Sequence, residues 1–328
     1  MNANEQPISV VAPVSGAFEH TKRLLFRPFD AYRWLAIGFT AWLATLGENW
    51  GGGGGGGGGR DGNGAEFGVS GVREAIDGAK EYVVENFAWL LPLVLGGFVL
   101  LVGLVLLFIW LSSRGRFMFL HNVALNRAEV VAPWHAYRRQ GNSLFLFRVV
   151  LAFLASVVVL PLLALLGFAI YFATLDPSPV PTPVAIAGAV GAVSALVLVG
   201  IVFVVIEKLT QDFVVPIMWL RQPTCRAAWS EFGAMLRAMP VQFLLYLLFH
   251  ILLSVAAGIL IIAVVLMTCC VAGCLFAIPY IGTVFLLPVL VFFRSYSLIY
   301  FAQYGPDHDV FRIQPATSPY PGTDPRSP

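Results

Sequence analysis

The sequence predicts an all-α integral membrane protein with six transmembrane helices. They form three hairpins, each preceded by a cytoplasmic amphipathic helix. Two observations carry this prediction: long apolar runs recur along the chain, and basic residues alternate strongly between successive loops. Hydrophobic residues make up 58% of the chain and charged residues 12%, so the apolar surface exceeds what a soluble globule can bury. The formal charge of +2 gives no general attraction to nucleic acid.

Six apolar stretches are assigned as spans, because about 20 apolar residues in a helix match the hydrocarbon core of a bilayer. Their approximate limits are 32–47, 88–111, 145–172, 184–206, 243–266 and 278–300. The first is short, and its Trp34 and Trp42 would also suit a helix lying on the membrane surface. The predicted organisation is a cytoplasmic N-terminus with an amphipathic helix (1–31), a membrane domain (32–304) and a disordered cytoplasmic tail (305–328).

The distribution of Lys and Arg sets the predicted orientation. With the N-terminus inside, 17 basic residues fall on the cytoplasmic side and three in the outer loop 48–87. This is the bias expected of cytoplasmic loops. If the first segment lay on the surface instead, the C-terminus would be outside and the alternation would be reversed. Six spans in the cell membrane, with both termini cytoplasmic, are therefore favoured.

Three low-complexity segments lie outside the predicted spans. The uninterrupted glycine run 51–59 in the outer loop has the composition of a flexible tether, and the phosphate-binding signature Gly-Lys-Ser or Gly-Lys-Thr does not follow it. Prolines alternate with other residues from Asp176 to Pro183, which favours a stiff connector. The tail from Gly305 has six prolines and few apolar residues, which is typical of disorder.

Amphipathic segments precede the first, third and fifth spans. The first carries Val14, Phe18, Leu25 and Phe29 on its predicted apolar face, and the last, after Thr224 as a predicted N-cap, carries Ala228 and Phe232. A shorter version covers 132–137. Their basic residues are candidate contacts for anionic inner-leaflet headgroups: Lys22, Arg23, Arg27, Arg138, Arg139, Arg226 and Arg237.

The segments that leave the three hairpins are related in sequence, which indicates a threefold internal repeat. They are Arg116-Phe-Met-Phe-Leu-His-Asn122, Asp212-Phe-Val-Val-Pro-Ile-Met218 and Ser295-Tyr-Ser-Leu-Ile-Tyr-Phe301.

The first two of these segments, together with Arg23-Leu-Leu-Phe-Arg-Pro-Phe-Asp30 and Arg138-Arg-Gln-Gly-Asn-Ser-Leu-Phe145, resemble a family of uncharacterised prokaryotic six-span membrane proteins. The resemblance covers most of the chain. More distantly, the chain is similar to the membrane domain attached to some glycerophosphodiester phosphodiesterases, but it has no room for their soluble catalytic barrel. The resemblance implies architecture and transfers no activity.

Few residues suggest chemistry, and we predict no catalytic residue, metal site or cofactor. His250 lies within the fifth span, and ionisable residues gather near the inner ends of neighbouring spans; together they form a candidate intramembrane polar site: His250, Glu207, Lys208, Asp212 and Arg294. Hydrogen bonding of His250 to Ser254 or to another helix, and snorkelling of the charged residues, are the structural alternatives. Cys269, Cys270 and Cys274 fit packing, a disulfide or, least well, a metal site.

Three functions are consistent with these residues. The first is a non-enzymatic membrane protein that holds anionic inner-leaflet lipid or a cytoplasmic partner on its basic amphipathic helices. The second is a transporter or channel for a small solute that uses the polar site around His250. The third is an intramembrane lipid-modifying enzyme, for which no paired acid and base is evident. Neither the solute nor the oligomeric state follows from the sequence.

Overall fold

The computed structural model describes residues 8–27, 29–46, 82, 85–174, 182–268, 273 and 278–312. Every regular element within these ranges is helical, and none of them contains a strand. The glycine run 51–59, most of the proline-rich connector, Cys269, Cys270, Cys274 and the tail beyond 312 lie outside the described residues, so the predictions made for them stay predictions.

The helices are numbered in chain order. They are α1 (Ala12–Phe26), α2 (Ala31–Thr45), α3 (Phe87–Leu125), α4 (Val131–Ala136), α5 (Arg138–Thr174), α6 (Thr182–Leu209), α7 (Val215–Arg221), α8 (Cys225–Ala238), α9 (Pro240–Met267), α10 (Pro279–Phe285) and α11 (Leu287–Ala302). A π-helical segment, Thr210–Val214, joins α6 to α7, and a 3₁₀ turn, Pro306–His308, follows α11.

Among the described residues, four helical stretches are long and apolar enough to cross a membrane. They are Phe87–Leu125, Arg138–Ile170, Ile186–Arg221 and Pro240–Met267, and they correspond to the second to fifth predicted spans. The first and sixth predicted spans are not confirmed. Helix α2 has 15 residues, about 22 Å at 1.5 Å per residue, which is short of a hydrocarbon core of about 30 Å. The predicted span 278–300 is divided at Leu286 into α10 and the 16-residue α11.

The chain divides into two compact units. We call Gly47–Phe108 with Arg148–Glu207 the apolar unit, and Met1–Leu46, Ile109–Phe147 and Lys208–Pro328 the core unit. In the described parts of the apolar unit, large hydrophobic side chains are exposed along whole helices, as at Leu100 (70% exposed) and Leu198 (65%). Such helices need an apolar solvent, because exposing this much hydrocarbon to water is energetically unfavourable.

Three buried segments form the centre of the core unit. They cover residues 112–124, 209–220 and 294–301, and all their side chains except Gln211 and Ile299 are buried. They coincide with the three related segments that leave the predicted hairpins. Phe117, Phe213 and Tyr296 hold equivalent positions in that repeat and are all fully buried. The sequence similarity therefore marks the parts of the chain that build the core.

The first two buried segments pack against the amphipathic stretch that follows each of them. The ring of Phe117 stacks on Tyr137, with centroids 6.1 Å apart, and the ring of Phe213 stacks on Phe232 of α8 at 5.3 Å. Between the third segment and residue 312, where the described residues end, there is no amphipathic helix. The N-terminal helix α1 packs there instead, burying Ala17 and Leu24 against α11. Helix α1, at the beginning of the chain, thus packs on the third segment as a following amphipathic stretch does on each of the first two.

The face that α1 buries differs from the predicted one. Leu25 is buried, but Phe18 and Phe29, which were expected on the same face, are 65% and 66% exposed. The reason is that small side chains, Ala17 and Thr21, allow α1 to lie close to α11.

The described residues include the first part of the predicted tail, from Gly305 to Arg312. Gly305 adopts φ +136°, a conformation that favours glycine, and turns the chain into the 3₁₀ segment. Val310 is then fully buried, and the ring of Phe311 lies 4.8 Å from that of His20. Val310, the ring contact of Phe311 and the contact of His308 with Phe301 at 4.8 Å attach this segment to the core unit.

Candidate functional site

The centre of the predicted polar site is Asp212, which lies in the π-helical segment and is 3% exposed. Its Oδ2 accepts a hydrogen bond from the Tyr246 hydroxyl at 2.7 Å and lies 2.9 Å from Lys208 Nζ. The widened π turn offsets the helix by one residue, a feature that often occurs at functional positions. A buried carboxylate is thereby paired with a cation and also hydrogen bonded, which is what a charge needs away from water.

Two more predicted residues lie around the same segment. Arg294 Nη1 donates a hydrogen bond to the Gln211 carbonyl oxygen at 2.6 Å, next to Asp212 in the chain. The His250 ring lies 5.9 Å from the Tyr246 ring and 4.9 Å from that of Phe293, and its buried Nδ1 has no hydrogen-bond partner among the described residues. Ser254, the alternative partner considered for this imidazole, donates instead to the backbone carbonyl oxygen of His250, at 2.8 Å.

Glu207 forms a separate ion pair. Its Oε1 lies 3.0 Å from Arg148 Nε within the apolar unit. The five predicted residues therefore form two groups: Glu207 with Arg148, and Lys208, Asp212, Arg294 and His250 near the π-helical segment. Only the second group belongs to the core unit.

Sequence reasoning missed the tyrosines that surround this group. Tyr246 stacks on Tyr296 with ring centroids 5.7 Å apart and contacts Tyr300 at 4.7 Å. All three are fully buried. Tyr296, Tyr300 and Tyr304 recur every fourth residue, so their helical spacing could have indicated a shared face. The packed rings enclose Asp212 on the side of α9 and α11.

A second polar cluster, also missed, lies in the first buried segment. The Arg114 guanidinium lies over two indoles, 4.4 Å from the centroid of Trp110 and 4.8 Å from that of Trp134, and donates to Asn142 Oδ1 at 3.1 Å. Cation–π contact of this kind stabilises a partly buried guanidinium.

The same buried segment also places His121 against Tyr137 and Glu129. His121 Nδ1 lies 3.2 Å from the Tyr137 hydroxyl, and Nε2 lies 3.9 Å from Glu129 Oε2. Burial raises the pKa of the Tyr137 hydroxyl, which keeps it neutral. No group of three His, Cys, Asp or Glu side chains in the described ranges is arranged to hold a metal ion.

The predicted headgroup contacts lie at the surface of the core unit. Six are exposed and Lys22 is partly buried; the exposed ones are Arg23, Arg27, Arg138, Arg139, Arg226 and Arg237. Phe18, Phe26 and Phe29 are also exposed in this stretch of the chain. We call Phe18, Lys22, Arg23 and Phe26 of α1, with Arg27 and Phe29 directly after it, the outer face of α1. Arg23 is paired with Glu19, one turn earlier, at 3.5 Å.

An all-helical chain with four candidate spans, exposed apolar helices and a buried core of its own defines a helical membrane protein. A model for a family of unknown function, DUF7544, matches residues 8–304, and the chain belongs to this family. No curated protein matches the chain, and no solved structure does. The predicted uncharacterised family is consistent with this result. The similarity to the membrane domain of glycerophosphodiester phosphodiesterases gains no support and stays a prediction.

Proposed function

We propose that this protein is a non-enzymatic, multi-pass protein of the cell membrane that binds anionic lipid of the cytoplasmic leaflet through the outer face of α1. One observation carries the proposal. Helix α1 packs on α11 and buries Ala17, Thr21 and Leu24, yet Phe18 and Phe26 of the same helix stay exposed, as does Arg23, and exposed Arg27 and Phe29 follow the helix.

That combination suits a bilayer interface better than water. Aromatic rings are stable at the level of the headgroups, and long basic side chains extend their charges towards phosphates. Each Lys or Arg near an anionic surface contributes about 1 kcal/mol of attraction. With the six predicted spans, the 17 to 3 division of basic residues supports a cytoplasmic position for this face and for both termini.

The proposal is tested with the full chain reconstituted in nanodiscs of phosphatidylcholine alone or with one-third phosphatidylglycerol. We expect the thermal midpoint to be higher with the anionic lipid, because a ligand that binds only the folded state stabilises it. The increase should largely disappear when Lys22, Arg23 and Arg27 are all changed to Gln.

The matched control changes Arg138, Arg139 and Arg226 to Gln. These residues are also exposed, but they do not belong to the aromatic outer face of α1. We expect a smaller loss for this variant. An equal loss in both variants would show that overall charge, and not this face, attracts the lipid. No preference in the unchanged protein would contradict the proposal.

A transporter for a small solute is the second candidate, and the buried group around Asp212 favours it. Ionisable side chains inside candidate spans commonly mark substrate or ion paths. In proteoliposomes, Asp212→Asn should abolish any solute or proton flux that the unchanged protein supports, whereas Glu207→Gln, which breaks the separate pair with Arg148, should leave it intact. The absence of flux in the unchanged protein would count against this candidate.

A further inference from the structure

A pocket of about 250 Å³ lies between α1 and α11, next to the outer face of α1. Its lining residues are Gly16, Glu19, His20, Arg23, Ile299 and Phe311. Those from α1 recur at positions i, i+3, i+4 and i+7, so they share one side of the helix. This side is distinct from the buried face that holds Ala17 and Leu24.

Hydrocarbon forms most of the pocket wall, and the shape depends on two residues. A Cβ atom at Gly16 would lie 3.2 Å from Ile299 Cδ1, so glycine allows the isoleucine to lie directly against the helix. On another side, Phe311 is held against His20 by the ordered segment 305–312. Three parts of the chain thus form the pocket: α1, α11 and the segment 305–312.

The polar groups of the pocket carry donors suited to an anion. Arg23 is 70% exposed, and its pair with Glu19 at 3.5 Å is a surface contact that costs little to rearrange. His20 Nδ1 lies 3.1 Å from Ser295 Oγ. If Ser295 donates that bond, the proton resides on Nε2, which is then a second donor.

We propose that this pocket binds one anionic phospholipid, with its phosphate on Arg23 and His20 and the adjoining hydrocarbon against Ile299 and Phe311. The inference rests on the proposed function, since it names the site at which the outer face of α1 holds a lipid. Two observations favour an amphiphile over a soluble anion: the walls are apolar, and exposed Phe18 and Phe26 lie on the same helix. Free phosphate shares the headgroup chemistry and is an outcome of the test.

The experiment measures binding to the purified, delipidated full chain in detergent by native mass spectrometry and titration calorimetry. The probes are dioctanoyl phosphatidylglycerol, dioctanoyl phosphatidylcholine and inorganic phosphate. We expect one phosphatidylglycerol per chain in preference to phosphatidylcholine, and no measurable binding of phosphate. Arg23→Gln should weaken phosphatidylglycerol binding about tenfold, which corresponds to one charge-assisted hydrogen bond.

Arg221→Gln is the matched control, because Arg221 is exposed and paired with a glutamate, as Arg23 is, but belongs neither to the outer face of α1 nor to the pocket. It should change the affinity less than twofold. Phe311→Ala should also weaken binding while leaving the helical content unchanged. Gly16→Val should also weaken binding, because the new side chain would displace Ile299. Since Phe311→Ala changes the pocket wall without a substitution in α1, comparing the two variants separates loss of the pocket from displacement of α1.

Two results would overturn the site. Equal effects of Arg23→Gln and Arg221→Gln would show diffuse attraction to positive charge and not a site, and the nanodisc comparison then judges the proposed function separately. Phosphate binding as tightly as the lipid would show an anion site without a lipid. If the nanodisc measurement with anionic lipid also showed no stabilisation, the proposed function would fail together with the site.

Discussion

The two units of this protein use their residues in opposite ways. In the described parts of the apolar unit, side chains such as Leu100, Phe153 and Leu198 are at least 65% exposed. In the core unit, Arg116 and Asp212 are at most 3% exposed. Lipid can serve as the solvent of the first unit, whereas the second must pair its own polar groups. We therefore expect stability to depend on the buried polar and aromatic residues and not on the exposed apolar helices, which include α9 of the core unit, where Leu248 is 63% exposed.

The largest expected effect comes from removing a buried ring of the core unit. Phe213→Ala should lower the free energy of unfolding by about 3 to 5 kcal/mol, because Phe213 is fully buried among Phe232, Phe243 and Tyr246. Phe153→Ala, at a 68% exposed position of the apolar unit, should have little effect in lipid. Denaturation in nanodiscs provides the measurement, and equal losses would remove the contrast between the units.

The two ion pairs near the end of α6 give the next comparison. Asp212→Asn should cost about 2 to 4 kcal/mol, because it removes a charge that Lys208 and Tyr246 both contact in a buried place. Glu207→Gln should cost about 1 kcal/mol or less, since the Glu207 side chain is 29% exposed. The same unfolding assay measures both. A larger cost for Glu207 would mean that the apolar unit depends on its polar pair.

Glycine substitutions test helix packing in each unit. A Cβ at Gly115 would lie 2.5 Å from the Leu43 carbonyl carbon and 2.6 Å from Ala44 N, so Gly115→Ala should destabilise the core unit by about 1 to 3 kcal/mol. Gly191 in α6 has no atom within 4 Å of the same position. Gly191→Ala should therefore be neutral or slightly stabilising, through helix propensity. A comparable loss at Gly191 would reveal close helix packing in the apolar unit.

The smallest effect should be a dependence on pH from histidines of the core unit. Burial lowers the pKa of His20, and the positive charge of Arg23 lowers it further. The pKa of His308 is also lowered, by burial and then by the charge of Arg221, although Glu231 and Asp307 act in the opposite direction. Because the unfolded chain binds protons more readily than the folded one, stability should decrease as the pH falls from about 6.5 through the lower folded values. His20→Gln should reduce this slope in thermal unfolding between pH 7.5 and 5, whereas an unchanged slope would exclude a contribution of His20.

Helix N-caps depend on residues that are close in sequence, so they are features that the sequence can indicate. The Asp30 cap of α2, which accepts from Tyr32 N at 2.9 Å, was not predicted, although it too is local. Thr224 occupies the predicted N-cap of α8. Even so, the Thr224 side chain makes no capping bond. The Cys225 N–H donates instead to Ser143 Oγ at 3.0 Å, a residue 82 positions away that no sequence window could include.

The candidate site was predicted in part for the same reason. Lys208 and Asp212 are one turn apart, so their pairing follows from helical spacing. The roles of Tyr246 and Arg294 do not follow, because they reach the π-helical segment from helices later in the chain. Glu207 adjoins Lys208 in sequence, yet it pairs with Arg148, since rotation around a helix separates neighbours in the chain.

By itself, the sequence determined that this is a helical membrane protein, because its long apolar runs are read directly from composition. It also marked three related segments. Only the tertiary structure decided that these segments form a buried core, that α1 closes the repeat and that residues 305–312 are ordered. Ser9 and Gln303 exchange two hydrogen bonds, at 2.8 and 3.0 Å, across almost the whole chain. Hydropathy depends on the residues in one window, whereas burial depends on residues that meet only after folding.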